Sequence, residues 1–311
     1  MGLIDLRGVK KRFGKKVVLE NVDLEIKEKD IFGIIGINGS GKTTLLKLLI
    51  GFYKTSRGKV SYNGKNISHV FRKVRKEFGF TSQESSFYPK LTVKENLLYF
   101  GSLYGLSNHE IRDNMEKVLG LVELADVKRV LAQNLSGGMQ RRLDLACSII
   151  HRPKVLILDE PTEDLDPFLR REIIKVIKRI NKLGTTIIIT SHLLEDIESL
   201  CNRVAILHNH KVMKVGSIDD LRKLYDREEE IHLEIESGKY ERIVKFAKLK
   251  DVERVGNKLI IYTKDAEKAL HLIFHIIEND NEKLVYADVR KYPNKTDLGR
   301  VNVDDFDLVF M

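Results

Sequence analysis

The sequence predicts an α/β protein, with an open core sheet and helices followed by a smaller α/β domain. Three short apolar runs, at residues 31–35, 155–158 and 187–189, have the length and composition of buried strands. Each run is followed directly by a glycine or by polar side chains, and helix-like segments separate the runs. The chain of 311 residues is longer than one domain usually is, so two domains are expected.

The first apolar run leads into a glycine-rich loop, GINGSGKT, at residues 36–43. Gly36, Gly39 and Gly41 let the backbone adopt positive φ and approach an anion closely. Backbone N–H groups then face the α- and β-phosphates, and the positive end of the following helix adds to the field. The Lys42 ammonium reaches the β- and γ-phosphates, and the Thr43 hydroxyl is a ligand for Mg²⁺. The pattern predicts binding of a nucleoside triphosphate with magnesium.

A second helix start with anion-binding features lies at residues 135–140, LSGGMQ. Ser136 is a suitable N-cap, and Gly137 and Gly138 leave backbone N–H groups accessible at the positive end of the helix dipole. One triphosphate needs only one cradle. The chain therefore contains one anion site more than a single nucleotide explains.

Carboxylate, imidazole and amide side chains follow the other predicted strands. Asp159 and Glu160 end the second apolar run, where Asp159 is placed to hold the Mg²⁺ shell and Glu160 to act as general base on the attacking water. His192 follows the third run, at the strand end where ligands bind in an open α/β sheet. Gln83 follows the strand-like segment 78–82, which puts it within expected reach of Mg²⁺ or of the water.

In order and spacing, these motifs resemble those of the ATP-binding subunits of ABC transporters, over residues 1 to about 225. The matches are Walker A at 36–43, the Q-loop at Gln83, the LSGGQ signature at 135–140, Walker B at 155–160, the D-loop at 163–166 and the switch histidine at His192. The resemblance implies an ATPase core with antiparallel and helical subdomains. It also explains the second anion site, because two such subunits pair head-to-tail and the signature of one closes over the ATP of the other.

The resemblance implies roles for single residues in three groups. The catalytic group is Glu160, His192 and Gln83, and the groups around Mg²⁺ are Thr43, Gln83 and Asp159. Contacts to the partner subunit comprise the signature, which binds ATP in trans, and the D-loop at the dimer seam: Ser136, Gly137, Gly138, Asp164 and Asp166. ATP contacts within one subunit are the adenine-stacking ring and the phosphate loop: Phe13, Gly36, Ile37, Asn38, Gly39, Ser40, Gly41, Lys42, Thr43 and Thr44.

Three residues depart from the family pattern. Met139 occupies the fifth signature position, where Gln is usual, and Gln140 follows it. Phe13 replaces the more frequent Tyr, although a ring face is sufficient for stacking. Asp164 stands where many efflux subunits have Gly, and its negative charge near the seam is expected to loosen ATP-driven closure. None of the three departures removes a catalytic group.

Composition limits the kinds of partner and the cellular location that are expected for this chain. No run of 18 apolar residues occurs, so no membrane-spanning helix is expected, and the resemblance implies a separate transmembrane permease. The start lacks the layout of a signal peptide, and Cys147 and Cys201 have no metal-binding spacing, which favours a reduced setting. We expect a homodimer bound peripherally at the cytoplasmic face of the cell membrane.

Charge is distributed unevenly along the chain. Residues 226–311 contain 15 Lys/Arg and 19 Asp/Glu, a balance of −4, so the total of +9 leaves +13 on residues 1–225. A basic body suits ATP, an acidic partner loop or the anionic inner leaflet. The basic residues are scattered and nothing resembles a nucleic-acid module, so no nucleic-acid partner is expected.

The predicted ATP-binding domain spans residues 1–225, with an antiparallel edge sheet in residues 3–30 and a helical subdomain at about 84–152. Residues 226–311 form a C-terminal accessory domain with the order βαββαβ, which is typical of a small ferredoxin-like layer. This domain contains no catalytic constellation. Its closing residues, 303–308, loosely resemble the tail of daunorubicin-resistance-type efflux ATP-binding proteins.

The resemblance favours the ATPase subunit of an ABC-2-type exporter that powers transport through the permease. One alternative is a soluble ABC ATPase acting on nucleic acid or the ribosome. Such relatives have two cassettes or a long coiled-coil insertion, whereas this chain has one cassette and Ser136 follows Lys42 by 94 positions. An ABC importer ATPase is the second alternative, and the C-terminal domain argues mildly against it. The substrate is not encoded in this chain, because its pocket would lie in the permease.

Overall fold

The computed structural model describes residues 2–220, 228–247, 249, 251–263 and 265–292. They form two compact units that divide between Ile218 and Asp219. The predicted boundary between residues 225 and 226 lies outside the described residues, as do the closing residues 303–308.

The first unit contains ten strands and seven α-helices within the described residues. The strands are β1 Ile4–Phe13, β2 Lys16–Ile26, β3 Ile31–Ile35, β4 Arg57–Tyr62, β5 Lys65–Asn66, β6 Phe78–Thr81, β7 Val155–Asp159, β8 Thr186–Ser191, β9 Arg203–His208 and β10 Lys211–Ser217. The helices are α1 Lys42–Leu49, α2 Phe71–Glu77, α3 Val93–Leu103, α4 Asn108–Leu121, α5 Gly137–Ile149, α6 Pro167–Lys182 and α7 Leu194–Leu200.

A six-stranded sheet in the order β10–β9–β3–β8–β7–β6 forms the centre of this unit. Its pairs are parallel except for β9 and β10. Strands β3, β7 and β8 are buried along their whole length, as their continuous apolar sequences predict. The predicted closing hairpin is β9–β10, and its turn residues Asn209 and His210 both have positive φ, 44° and 68°. Two such residues give a turn whose twist matches that of paired strands.

A second, antiparallel sheet has the order β2–β1–β4–β5. The sequence predicts β1 and β2, and the structure adds β4 and β5, which come from beyond α1. Helix α1 places Leu45, Leu46 and Leu49 in one hydrophobic core with residues of both sheets, such as Leu6 of β1 and Phe32 of β3. The helix that follows the glycine loop is therefore fixed by burial against both sheets.

Helices α3, α4 and α5 occupy most of residues 84–152, as the sequence predicts. Helices α3 and α4 each begin with a capping box, formed by Thr92 with Glu95 and by Ser107 with Glu110. In each box two helix-terminal N–H groups gain acceptors, which fixes where the helix begins.

The second unit has the predicted order βαββαβ. Its elements are β11 Glu228–Ile235, α8 Glu241–Phe246, β12 Asp251–Val255, β13 Lys258–Thr263, α9 Ala266–Asn279 and β14 Leu284–Tyr292. The strands form an antiparallel sheet in the order β12–β13–β11–β14. Alternate residues of β11, namely Ile231, Leu233 and Ile235, pack with Ile273 and Ile277 of α9 in a separate core.

Within the described ranges, every helix is too short or too polar to cross a membrane.

Candidate functional site

The glycine loop lies between β3 and α1, at the carboxyl edge of the six-stranded sheet. Gly39 and Gly41 have φ of 83° and 112°, which L side chains rarely adopt. A Cβ on Gly36 would overlap the Leu207 carbonyl oxygen, and one on Gly41 would lie 2.9 Å from the Val18 carbonyl oxygen. Neither position can accept a side chain without a shift of the backbone. The loop has the open backbone that a phosphate cradle requires.

The Lys42 ammonium lies inside this loop and is 4% exposed. Its Nζ donates to the carbonyl oxygens of Gly36, at 2.7 Å, and Ile37, at 3.3 Å. It also forms an ion pair with Glu160 Oε1 at 3.0 Å. Ser40 adds a buried hydroxyl for which the described residues provide no hydrogen-bond partner. A buried cation and an unpartnered hydroxyl in one glycine loop suit a polyphosphate.

Glu160 follows β7 directly and has a left-handed backbone, with φ of 46°. Its N–H donates to Thr190 Oγ1 at 3.0 Å, and the same hydroxyl donates to Asp159 Oδ1 at 2.7 Å. Its second carboxylate oxygen, Oε2, lies 2.7 Å from His192 Nδ1. The structure therefore brings Glu160, His192 and Lys42 together, as the sequence predicts. Thr190, which holds both carboxylate residues, is absent from the predicted site.

Gln83 lies close to the same carboxylate cluster, but its contact is with a different residue. Its Nε2 donates to Glu163 Oε2 at 2.6 Å. One ligand atom from each of Glu160, Glu163 and His192 lies within 4.8 Å of the others. Sequence reasoning includes Glu163 only as part of the D-loop segment, and it gives no signal that this carboxylate faces Gln83.

The other predicted nucleotide contacts lie around the loop. Thr43 is exposed and Thr44 half-buried on the first turn of α1, Ile37 is half-buried, and Asn38 is exposed. Phe13 ends β1 and is 43% exposed. Its ring packs edge-on against Tyr53 with centroids 5.1 Å apart, and Lys11 Nζ lies 4.6 Å from its centroid. The exposed ring is available for stacking, with a cation beside it.

The signature segment forms the start of α5. Ser136 is its N-cap, and Ser136 Oγ accepts from Met139 N at 3.4 Å. Ser136 and Gly137 are exposed, while Gly138 is buried so closely that a Cβ would lie 2.6 Å from Leu169 Cδ2. Among the described residues, no hydrogen bond or ion pair joins this segment to residues 36–44. Within one chain, the two predicted anion sites are separate.

The D-loop residues have clear local roles. Asp166 is the N-cap of α6, and its Oδ1 accepts from Phe168 N and Leu169 N, each at 2.9 Å. Asp164 is exposed and has φ of 58°. A left-handed residue explains why glycine suits this position, and Asp is one of the few other residues that tolerate it. Their predicted place at a dimer seam stays a prediction.

Comparison with known proteins agrees with this geometry. The family described as "ABC transporter" matches residues 19–163. The chain is 33% identical over 219 residues to the linearmycin resistance ATP-binding protein of Bacillus subtilis (strain 168), which covers 70% of each chain. It is 35% identical over 270 residues to Nod factor export ATP-binding protein I of Rhizobium sp. (strain N33), which covers 85% of this chain and 87% of that protein.

A solved structure is also similar to this chain. It is a dimeric ATP-binding cassette in a post-hydrolysis state, bound to ADP and Pi, with a TM-score of 0.61 and 27% identity. The match covers 69% of this chain and 98% of that one. The fold, the motif order and the relatives agree: the chain belongs to the ATP-binding subunits of ABC transporters and is an ATPase.

Proposed function

We propose that this chain is the motor subunit of an ABC exporter, working as a head-to-tail homodimer at the cytoplasmic face of the membrane on a separate permease. The observation that carries the proposal is the contact of Lys42 with Glu160 and of Glu160 with His192 in one half-site, while the signature lies apart. The two relatives are named for resistance and export. This favours export over the importer and nucleic-acid alternatives.

The half-site in each subunit has the residues for ATP binding and for water activation. Lys42 and the loop N–H groups bind the phosphates, and Phe13 stacks on the base. Once Lys42 has phosphate oxygens as partners, the Glu160 carboxylate is free to accept a proton from the attacking water. His192, 2.7 Å from Glu160 Oε2, holds that carboxylate in place. Glu160 is thus the general base, and His192 and Gln83 assist it.

A magnesium ion fits the same half-site. Thr43 offers an exposed hydroxyl, and Asp159 offers a buried carboxylate held by Thr190 Oγ1. Hydroxyl and carboxylate oxygens are the ligands that Mg²⁺ prefers. Gln83 joins this set if its amide leaves Glu163. When bound, the ion would neutralise negative charge that develops on the phosphates during hydrolysis.

The second half of each site comes from the partner subunit in this proposal. Ser136 and Gly137 are exposed at the positive end of α5, and the described residues of their own chain do not join them to the glycine loop. Ser136, Gly137 and Gly138 therefore bind the partner's γ-phosphate, and Asp164 and Asp166 lie at the seam. The dimeric state of the similar cassette bound to ADP and Pi supports this arrangement.

The permease would dock on the ATP-binding domain, proposed as residues 1–225 with its helical subdomain at about 84–152. A groove of about 620 Å³ runs between α2, β6 and α3. Its lining is aromatic with a basic rim, and includes Phe71, Phe78, Phe100, Arg72 and Arg75. An exposed apolar groove of this kind is a suitable seat for a protein helix. Residues 226–311 are proposed as an accessory domain without catalytic groups.

The dependence of ATPase activity on protein concentration tests the composite site. Because two subunits must meet before either site is complete, the rate per molecule should rise with concentration. Mass photometry or gel filtration of the same samples would report the oligomeric state. A rate per molecule that stays constant over a wide dilution series, with the chain shown to be monomeric, would contradict the proposal.

A further inference from the structure

We propose that Arg141 and Asp144, two buried charges on α5, are positioning residues that join the start of the signature helix to the loops of Gln83 and Glu160. Through them, a movement of Ser136 would be transmitted to the catalytic carboxylate of the same chain. The coupling between two ATP sites rests on the proposed dimer. The positioning itself does not, because it lies within one chain.

The hydrogen bonds of the Arg141 guanidinium go to backbone carbonyl oxygens. Nε donates to Pro161 O and Nη2 to Glu160 O, each at 2.7 Å. Nη1 lies 3.3 Å from Ser82 O and 3.5 Å from Gln83 O. One side chain therefore connects α5, the loop after β6 and the loop after β7.

The Arg141 side chain is buried, so its guanidinium has a defined place in the interior. Arg141 is 9% exposed and forms no ion pair with any described residue, whereas its neighbour Arg142 pairs with Glu123 and Glu172. A charge taken out of water without a paired anion is costly unless its donors are satisfied. The planar guanidinium reaches acceptors on two loops at once, which the single ammonium of a lysine does less well.

Asp144 holds the loop after β6 at a second point, Ser86. It lies three residues after Arg141 on α5, so both side chains project from one face of the helix. Asp144 is 2% exposed, and its Oδ1 accepts from Ser86 N at 2.8 Å. The loop that contains Gln83 is thus tied to α5 through its carbonyls by Arg141 and through an N–H by Asp144.

The Glu160 backbone is held from both sides. Thr190 Oγ1 accepts from its N–H at 3.0 Å, and Arg141 Nη2 donates to its carbonyl at 2.7 Å. Glu160 has φ of 46°, a conformation that a non-glycine residue keeps only when its surroundings impose it. Arg141 and Thr190 are thus the two residues that hold the Glu160 backbone and orient its carboxylate toward Lys42 and His192.

The test uses the full-length chain with Arg141→Lys. This substitution keeps the positive charge but loses the planar set of guanidinium donors. Arg142→Lys is the matched control. We expect Arg141→Lys to lower kcat about 10- to 100-fold, because a small displacement of the base is enough for such a loss. The Kd for ATP should not change, since no phosphate contact is altered. In a Glu160→Gln background the same substitution should cause little further loss of kcat, because both changes act through one group.

Amide hydrogen exchange measured by mass spectrometry makes the result independent of the dimer. If Arg141 positions the two loops, exchange in Arg141→Lys should rise selectively in residues 82–87 and 159–163. A rise throughout the first unit, with a parallel loss of ATP affinity, would mean a general structural role and overturn the proposal. So would unchanged exchange and kcat, or additive losses in the double variant. Failure of the composite-site proposal would instead appear as a wild-type rate per molecule that is independent of concentration.

Discussion

Glu160 Oε1 lies 3.0 Å from Lys42 Nζ, and both side chains are buried. Each charge compensates part of the desolvation of the other, while His192 is a second partner of Glu160 and the Gly36 carbonyl oxygen a second partner of Lys42. The contact joins the glycine loop to the end of β7. We therefore expect Lys42 and Glu160 to change partners together when phosphate enters the loop.

We predict that Glu160→Gln will bind ATP but hydrolyse it on the order of 10²- to 10⁴-fold more slowly. The amide fills the same volume without accepting a proton, so the phosphate cradle stays intact. An ATP-bound dimer should then accumulate, which gel filtration with ATP would detect. Glu195→Gln, an exposed carboxylate at the start of α7, is the matched control. Hydrolysis at the wild-type rate would make another group the base, with His192 the first candidate.

We predict that Asp164→Asn will strengthen ATP-driven dimerisation, most clearly at low salt. The substitution removes one negative charge per subunit near the proposed seam, and salt screens such a charge. Asn tolerates φ of 58° about as well as Asp, so the backbone should not change. Asp164→Gly removes the charge and the backbone strain together. If Asn matches the wild type and only Gly strengthens the dimer, the effect lies in the backbone and our explanation by charge is wrong.

We predict that removing residues 219–311 will leave ATP binding intact and weaken ATP-driven dimerisation. The removed part holds 17 Lys/Arg and 21 Asp/Glu, so a body of charge +13 remains, with more repulsion between like subunits. Nucleotide affinity and dimer dissociation should be measured at two salt concentrations, with circular dichroism as the check on folding. Lost ATP affinity in a truncation that is still folded would show that the second unit contributes to the site.

We predict a fall in stability below pH 6.5 that depends on His151. Its ring stacks on Tyr104 with centroids 3.5 Å apart, and its Nε2 donates to Phe78 O at 3.1 Å. Burial lowers the pKa of His151 from 6.5 to about 4. Between these values the unfolded chain binds a proton that the folded chain does not. The contribution of neutral His151 to the free energy of unfolding is therefore complete above pH 6.5. It decreases as the pH falls toward 4, by up to roughly 3 kcal/mol.

Thermal unfolding of His151→Gln across this pH range checks the prediction. Gln has a donor for Phe78 O but no titrating group, so its melting temperature should depend less on pH. His69→Gln, at an exposed turn, is the matched control and should keep the wild-type slope. Equal slopes for all three proteins would exclude His151 as the source.

Contiguous motifs account for the parts of the site that sequence alone predicts. Residues 36–43 carry their own turn geometry, and Asp159, Glu160 and His192 follow apolar runs long enough to define strands. Parallel strands end at one edge of a sheet, so the sequence predicts that these side chains lie close together. The sequence also predicts the βαββαβ order of the second unit, and β11 shows the signal most clearly, since its apolar residues Ile231, Leu233 and Ile235 alternate with polar ones.

The residues that sequence analysis did not identify make contacts between segments that lie far apart in the chain. Arg141 is one of two adjacent arginines in a helix, a pattern typical of an exposed charged face, and only the fold shows that it is buried. Thr190 lies in an apolar strand, where a β-branched polar residue is ordinary. Strand β4 joins β1 with a register that no local pattern specifies. Each depends on packing between elements that lie far apart in the chain.

Mixing two inactive variants tests the composite site most directly. Lys42→Ala removes the phosphate-binding cation, and Ser136→Glu places a negative charge at the signature, so neither variant alone should hydrolyse ATP. A mixed dimer contains one site with both defects and one with neither. In an equimolar mixture with random pairing, half of the dimers are mixed, so activity should return to roughly a quarter of the wild-type rate. No recovery, in a sample where mixed dimers are shown to form, would contradict the claim that two subunits share each site.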